Sequence, residues 1–320
     1  MNTLKTIGDI IKSNNDFVLI PHKNPDGDCM GSVMALARAI KALNKNVKVA
    51  LVGKFVPKRL EYLWDKSFTF NKLNPETVCI TVDVAATYMI DNFKEDILDK
   101  AKITCCIDHH GTNTGFADYN YIDANASAAG EIVYELIYNE LGVKQDTLID
   151  ECLYSAIASD TGSFQYSNTT SKTHIIASKL VENVDSPKIM RNLFEKKQMQ
   201  SLMFMNDIIQ NMEFYYDGRL CLVTIDENML KKHNMVFSDA DEYSSLPRSI
   251  DGVEVGAILK VYAEGEVKVS LRSNEYVDVA SLAKELGGGG HLRASGVTLK
   301  AGADEAKKIM IQKIGEVLKQ

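Results

Sequence analysis

Residues 16–43 read DFVLIPHKNPDGDCMGSVMALARAIKAL, and the fold is decided there. The segment Asp16 to His22 is an apolar run too short for a helix and predicts a buried strand, whereas from Gly31 to Leu43 the apolar positions recur at helical spacing. Working outward, the runs 47–52, 77–84 and 102–107 predict further strands. Strands alternating with helices imply a parallel sheet with helices on both faces. From residue 127 to about 184 the pattern turns helical, as in Glu131-Ile-Val-Tyr-Glu-Leu-Ile-Tyr138 and the segment opening at Thr147, and these helices complete a first α/β domain.

The second half reads differently. A Met-rich helix around 196–210 leads into a hairpin over 213–225 that turns at Asp217-Gly218. Strands at Val255–Ala263 and Glu266–Arg272, a short helix at Val279–Leu286, four glycines at 287–290 and a terminal helix follow. The expected organisation is an α/β domain over residues 1–185, a helical linker over 186–212 and a smaller C-terminal α+β domain over 213–320. A chain of 320 residues suits two domains.

Hydrophobic residues at 45% and charged residues at 25% are ordinary globular values, which sets aside disordered and coiled-coil classes. The absence of any run of 18 apolar residues, and of a signal-peptide core in MNTLKTIGDIIKSNN, predicts a cytoplasmic protein with no membrane partner. Six scattered cysteines without a CxxC pair read as reduced core thiols, Cys105 and Cys106 among them, and disfavour structural zinc. A net charge of −7 with a pI near 5.5 argues against long nucleic acid as a partner, because proteins that track many phosphates carry basic stripes.

Four acidic or histidine-bearing motifs stand where apolar elements end: His22-Lys-Asn-Pro-Asp26-Gly-Asp28, Asp83, Asp108-His109-His110, and Asp160 within Ser159-Asp-Thr-Gly-Ser-Phe164. In the first, Pro25 and Gly27 predict an irregular loop. Singly, each motif has a plain reading as a helix cap or turn. Together they differ, because ligands of open α/β sheets collect at the carboxyl ends of strands. So many acidic groups on one sheet edge would repel one another unless cations lay between them. Carboxylates mixed with imidazoles suit Mn2+, with Mg2+ or Co2+ as alternatives, and two ions sharing one bridging carboxylate are implied.

The glycine run has a plain reading too, as a flexible linker. Its place between a helix and a strand, with His291 and Arg293 directly after, favours a phosphate cradle in which backbone without Cβ approaches an anion at Gly288, Gly289 and Gly290.

The four motifs, in this order, resemble the signature of the DHH phosphoesterase superfamily, whose name is the triplet standing here as Asp108-His109-His110. The segment Gly287-Gly-Gly-Gly-His291-Leu-Arg293-Ala-Ser-Gly296 resembles the glycine-histidine motif of the nucleotide-binding domain associated with that family. With Ser270-Leu-Arg272-Ser, the helix Val279–Leu286 and Ser127-Ala-Ala-Gly-Glu131, the likeness extends to the stand-alone nanoRNase and 3′-phosphoadenosine 5′-phosphate (pAp) phosphatase branch, over nearly the whole chain.

By this resemblance one metal is held by His22, Asp26 and Asp83 and the other by Asp28, Asp83, His109 and Asp160, with Asp83 bridging. Beside the ligand His109, His110 is placed to contact a phosphoryl oxygen and Asp108 to orient a ligand, while by the resemblance Arg272, Gly288, Gly289, Gly290, His291 and Arg293 hold the nucleotide. The cleft between the domains would set substrate length. Residues 84–90 lack an arginine that relatives often carry after the second motif, which puts the phosphate contact of that arginine in question. The implied activity is hydrolysis of short oligoribonucleotides, including pApA, to mononucleotides, dephosphorylation of pAp to AMP, or both. Rival readings are an inorganic pyrophosphatase or polyphosphatase, a single-strand DNA exonuclease and a non-catalytic nucleotide sensor. A homodimer is left open.

Overall fold

A computed structural model describes residues 2–54, 56–262 and 265–318. These divide into two compact units, Met1–Lys196 and Lys197–Gln320. The stretch 186–212 is folded on both sides of that division, with a short helix at Ser186–Met190 in the first unit and a longer one at Met199–Gln210 in the second.

In the first unit, β1 (Asp16–Ile20), β2 (Asn46–Val49), β3 (Val78–Val82), β4 (Ile103–Asp108) and β5 (Tyr119–Ile122) form an entirely parallel sheet in the order β2-β1-β3-β4-β5. The fold class read from the sequence is the one found. Both faces of the sheet are covered. Phe17 and Leu19 belong to a core packed by the helices α1 (Leu4–Ser13), α2 (Gly27–Ala42), α3 (Ala129–Glu135) and α4 (Thr147–Asp160), while Val18, Ile20 and Cys79 pack with Val84, Ile90, Ile97 and Leu98 on the other side. A strand buried on both faces reads as an unbroken apolar run, which is why β1 and β3 were legible.

Two glycines bring helices together. A Cβ at Gly31 would stand 2.4 Å from the Cys152 carbonyl, and one at Gly130 would stand 2.7 Å from Ala156 Cβ, so α2, α3 and α4 approach at distances only glycine permits.

The second unit carries a mixed sheet in the order β10-β11-β9-β8-β7-β6, built from β6 (Glu213–Tyr215), β7 (Leu220–Ile225), β8 (Val255–Tyr262), β9 (Glu266–Ser273), β10 (Gly289–His291) and β11 (Ala294–Lys300). The expected strand end at Ala263 lies outside the described residues. The helices Val279–Glu285 and Ala303–Leu318 bury Val279, Leu282, Met310 and Ile314 against one face. No helix among the described residues is long and apolar enough to cross a membrane.

Candidate metal centre

The strand order places the site. With the order β2-β1-β3, the chain crosses from β1 to one side and later builds on the other, so the carboxyl ends of β1 and β3 open a crevice at the switch point. His22 stands just past β1, Asp83 directly after β3, and His109 and His110 directly after β4.

Helix α2 starts at Gly27, earlier than the spacing predicted, so the irregular loop ends at Asp26 and Asp28 lies in helix. The reason is capping: Asp26 Oδ1 accepts the Cys29 N–H at 3.0 Å. Asp28 therefore lies in the first helical turn and is 1% exposed. Its carboxylate accepts N–H bonds from Ala129 (2.7 Å) and Gly130 (2.9 Å) at the start of α3, and the Ser32 hydroxyl at 2.9 Å.

Asp83 adopts φ +61°, a left-handed conformation uncommon for side-chain-bearing residues, held by its N–H bond to the Ile107 carbonyl at 2.9 Å. His109 Nδ1 pairs with the Ala126 carbonyl at 3.3 Å, so in the neutral ring Nε2 carries the lone pair. That nitrogen lies 3.5 Å from Asp83 Oδ1, 3.7 Å from Asp28 Oδ2 and 3.7 Å from Asp160 Oδ2, while His22 Nε2 lies 3.8 Å from Asp83 Oδ2. Asp160 ends α4.

Potential ligand atoms within 4.8 Å of one another form three groups: His22, Cys29 and Asp83; Asp83, His109 and His110; and Asp28, His109 and Asp160. Asp83 and His109 each belong to two of them. Asp26, among the described residues, belongs to none.

The electrostatics favour a cation. Burial pushes the Asp28 carboxyl up to about 6 despite the pull of His109 and of the N–H bonds. Burial, then the charges of Asp28, Asp26 and Asp160, hold Asp83 well above the usual carboxylate range, and burial followed by Asp28 and Asp26 does the same to Asp160. Asp83 Oδ1 is buried with no hydrogen-bond partner among the described residues. A buried unpaired acceptor is costly. The His/Asp groups are thus compatible with divalent cations.

Asp108, fully buried, is the exception among the carboxylates. Burial would raise its pKa, but hydrogen bonds from His110 and Asn113 and the His110 charge bring it below its ordinary value. Conversely His110, which burial would lower, is raised by the bond and charge of Asp108, at 2.8 Å.

In the second unit the glycines lie in and beside a strand. Gly289 and Gly290 belong to an edge strand, β10, which pairs with β11 through Gly289↔Gly296, Gly290↔Ser295 and His291↔Ala294. Cβ atoms at Gly288 and Gly290 would meet Gly296 O at 2.2 Å and Ala294 O at 2.5 Å, whereas one at Gly289 would meet nothing within 4 Å. Arg272 lies on β9 opposite Ala294, its Nη1 donating to the Leu271 carbonyl at 2.9 Å, and His291 is exposed. Arg293, expected on a phosphate, donates Nη1 to the Val277 carbonyl at 2.7 Å and Nη2 to the Glu275 carbonyl. The buried Glu254 accepts the N–H groups of Glu275, Tyr276 and Val277 at 3.0, 2.9 and 2.8 Å. Arg293 therefore clamps this turn from one side and Glu254 from the other.

Several contributors carried no sequence signal. Cys29 Sγ accepts the His22 N–H at 3.4 Å and lies 3.7 Å from the Val82 carbonyl. Asn168 donates to the Ser127 and Asp160 carbonyls at 2.9 and 3.1 Å. Asn113 reads as an ordinary turn residue. Each is recognisable only once distant segments meet.

Residues 16–158 match the N-terminal domain of the DHH family, and residues 222–320 match the DHHA1 domain. The chain is 28% identical over 321 residues to the bifunctional oligoribonuclease and PAP phosphatase NrnA of Thermus thermophilus, covering 98% of this chain and 94% of that protein. It is 31% identical over 302 residues to a Streptococcus mutans protein named "Probable bifunctional oligoribonuclease and PAP phosphatase NrnA", covering 92% and 93%. A crystal structure of an exopolyphosphatase-related protein from Bacteroides fragilis superposes with a TM-score of 0.86 at 24% identity over 98% of this chain and 95% of that one, a likeness of fold. With both domains matched and relatives aligned end to end, the chain belongs to the DHH family of phosphoesterases.

Proposed function

We propose that this phosphoesterase hydrolyses short oligoribonucleotides, pApA included, to mononucleotides and dephosphorylates pAp to AMP, using two divalent cations, Mn2+ foremost. The observation that carries the reading is the buried, partnerless Asp83 Oδ1 amid carboxyls and imidazoles. The relatives named for both activities align with nearly all of this chain, which supports the substrate class.

His22, Asp26 and Asp83 would hold one ion and Asp28, Asp83, His109 and Asp160 the other. When bound there, such ions lower the pKa of water and neutralise charge developing on the phosphoryl group. The chain's own residues do the rest. The N–H groups of Ala129 and Gly130 hold the Asp28 carboxylate in one orientation. Asp108 holds the His110 ring so that the imidazole can donate to a phosphoryl oxygen. In the second unit Arg272, the Gly288–Gly290 backbone, His291 and Arg293 grip the remainder of the nucleotide, Arg293 also bracing the Glu275–Val277 turn.

The test is a substrate panel on protein stripped of metal and reloaded with Mn2+: pAp, a labelled RNA dinucleotide, pApA, pyrophosphate and long single-stranded DNA. Turnover of the first three over the last two is expected. Preference for pyrophosphate, or no turnover of any with bound Mn2+, sinks the proposal.

A further inference from the structure

We propose that Asn113 is a positioning residue of this centre: its amide fixes the Asp108 carboxylate, so that His110 stays bonded to Asp108 and is kept off Asp83 Oδ1, the oxygen a cation needs. This rests on the metal-dependent reading above. Asn113 is buried in the turn after β4, its own N–H bonded to the His110 carbonyl at 3.1 Å. Its side-chain Nδ2 donates to Asp108 Oδ2 at 2.7 Å and to the Val84 carbonyl at 3.1 Å, with Cys106 Sγ at 3.5 Å, while Oδ1 accepts the Gly115 N–H at 2.8 Å. Two oxygen acceptors on one side and a donor on the other fix which end of the amide is nitrogen.

The consequence lies two steps away. Asp108 is fully buried, with His110 Nδ1 bonded to its Oδ1 and Asn113 Nδ2 donating to its Oδ2 among the described residues. The same His110 Nδ1 lies 3.6 Å from Asp83 Oδ1. A modest ring movement would carry its proton from one carboxylate to the other. Asn113 opposes that movement twice, by pinning Asp108 and by tying it to Val84, the residue after Asp83. A turn-forming role alone would need only Oδ1 on the Gly115 N–H.

Asn113→Asp separates the two accounts, because the carboxylate keeps an acceptor for Gly115 but loses both donors. Calorimetry with Mn2+ on metal-free protein, kcat and KM with pAp, and nitrogen NMR of the His110 ring in chelator are the measurements. The expected result for Asn113→Asp and Asn113→Ala is roughly 10- to 100-fold weaker Mn2+ binding, a comparable fall in kcat with KM little changed, and loss of the Nδ1-protonated His110 signal. Wild-type Mn2+ affinity and turnover in a folded Asn113→Asp overturns the proposal. If neither variant folds, the wild-type ring decides: a His110 protonated at Nε2 alone overturns it, and an Nδ1 proton protected from exchange supports it. If wild-type protein takes up no Mn2+, the metal reading falls, and the His110 signal in the variants still judges Asn113.

Discussion

His109 Nε2 lies 3.5 Å from Asp83 Oδ1, too far for a good hydrogen bond and close to the spacing of two neighbouring ligands on one cation, about 3 Å apart when the bonds are about 2.1 Å. Removing either group should disable the centre without unfolding the chain. Asp83→Asn and His109→Ala are each expected to lower kcat by several orders of magnitude. The metal-free Asp83→Asn protein should melt above metal-free wild type at neutral pH, because a buried carboxyl crowded by Asp28, Asp26 and Asp160 is replaced by a neutral amide. Calorimetric melts in chelator check this; a lower Tm for Asp83→Asn means that the carboxyl has a partner.

Chelation should abolish turnover, and Mn2+ should restore it better than Mg2+, since the donor set mixes imidazole with carboxylates. Elemental analysis alongside the assay checks it. Full turnover with no bound metal would contradict the centre outright.

The stability of metal-free protein should fall as pH rises. A carboxyl with a raised folded pKa holds its proton in the folded chain after the unfolded chain has lost it, so its stabilisation is present at low pH and disappears upward. For Asp28 the window runs from 3.8 to about 6, and Asp83 and Asp160, raised chiefly by burial, act in the same sense. His110, raised by Asp108, acts in the same sense. His22, lowered chiefly by burial, runs the other way, and so does Asp108, held below its ordinary value, although its window lies below 3.8 and so below pH 5.5. The rise in Tm on adding Mn2+ should therefore be larger at pH 8 than at pH 5.5, as thermal melts at the two values would show.

Substitutions in the second unit should separate grip from chemistry. Arg272→Ala is expected to lower kcat/KM for pAp by roughly 10- to 150-fold and to change hydrolysis of bis-p-nitrophenyl phosphate little, the range for one charged contact of about 1.5–3 kcal/mol. Gly289→Val should keep its Tm, since its Cβ meets nothing, and raise KM for the nucleotide; Gly288→Ala should lose Tm, since its Cβ would meet Gly296 O at 2.2 Å. Equal losses on both substrates would place the glycine segment at the reacting phosphate.

The parallel sheet was readable because β1, β3 and β4 are short apolar runs, whereas β5, Tyr-Asn-Tyr-Ile, alternates without being buried and was not anticipated. The start of α2 was missed because Pro25, Asp26 and Gly27 have turn composition, and only the Asp26 cap shows them to be a helix entry. The acidic and histidine motifs were legible as local runs. Their supports were not: Asn113 and Cys29 reach Val84 and Val82 on β3's side of the sheet, 29 and 53 residues away in sequence, and the N–H groups of Ala129 and Gly130 reach Asp28 across 101 and 102 residues. The hydrogen bonds of Arg293 to the Glu275 and Val277 carbonyls were likewise invisible in the sequence, because they form only once β11 lies beside β9.

The left-handed backbone at Asp83 also limits how the centre can drift. At φ +61° a β-branched or bulky side chain is strained, and glycine, asparagine and aspartate are the residues that settle there most readily. Of these three, one has no side chain and one presents a weakly coordinating amide. The main chain itself thus filters mutations before chemistry does, and a chain that keeps this turn while losing its aspartate passes most easily to an intact fold with a silent centre.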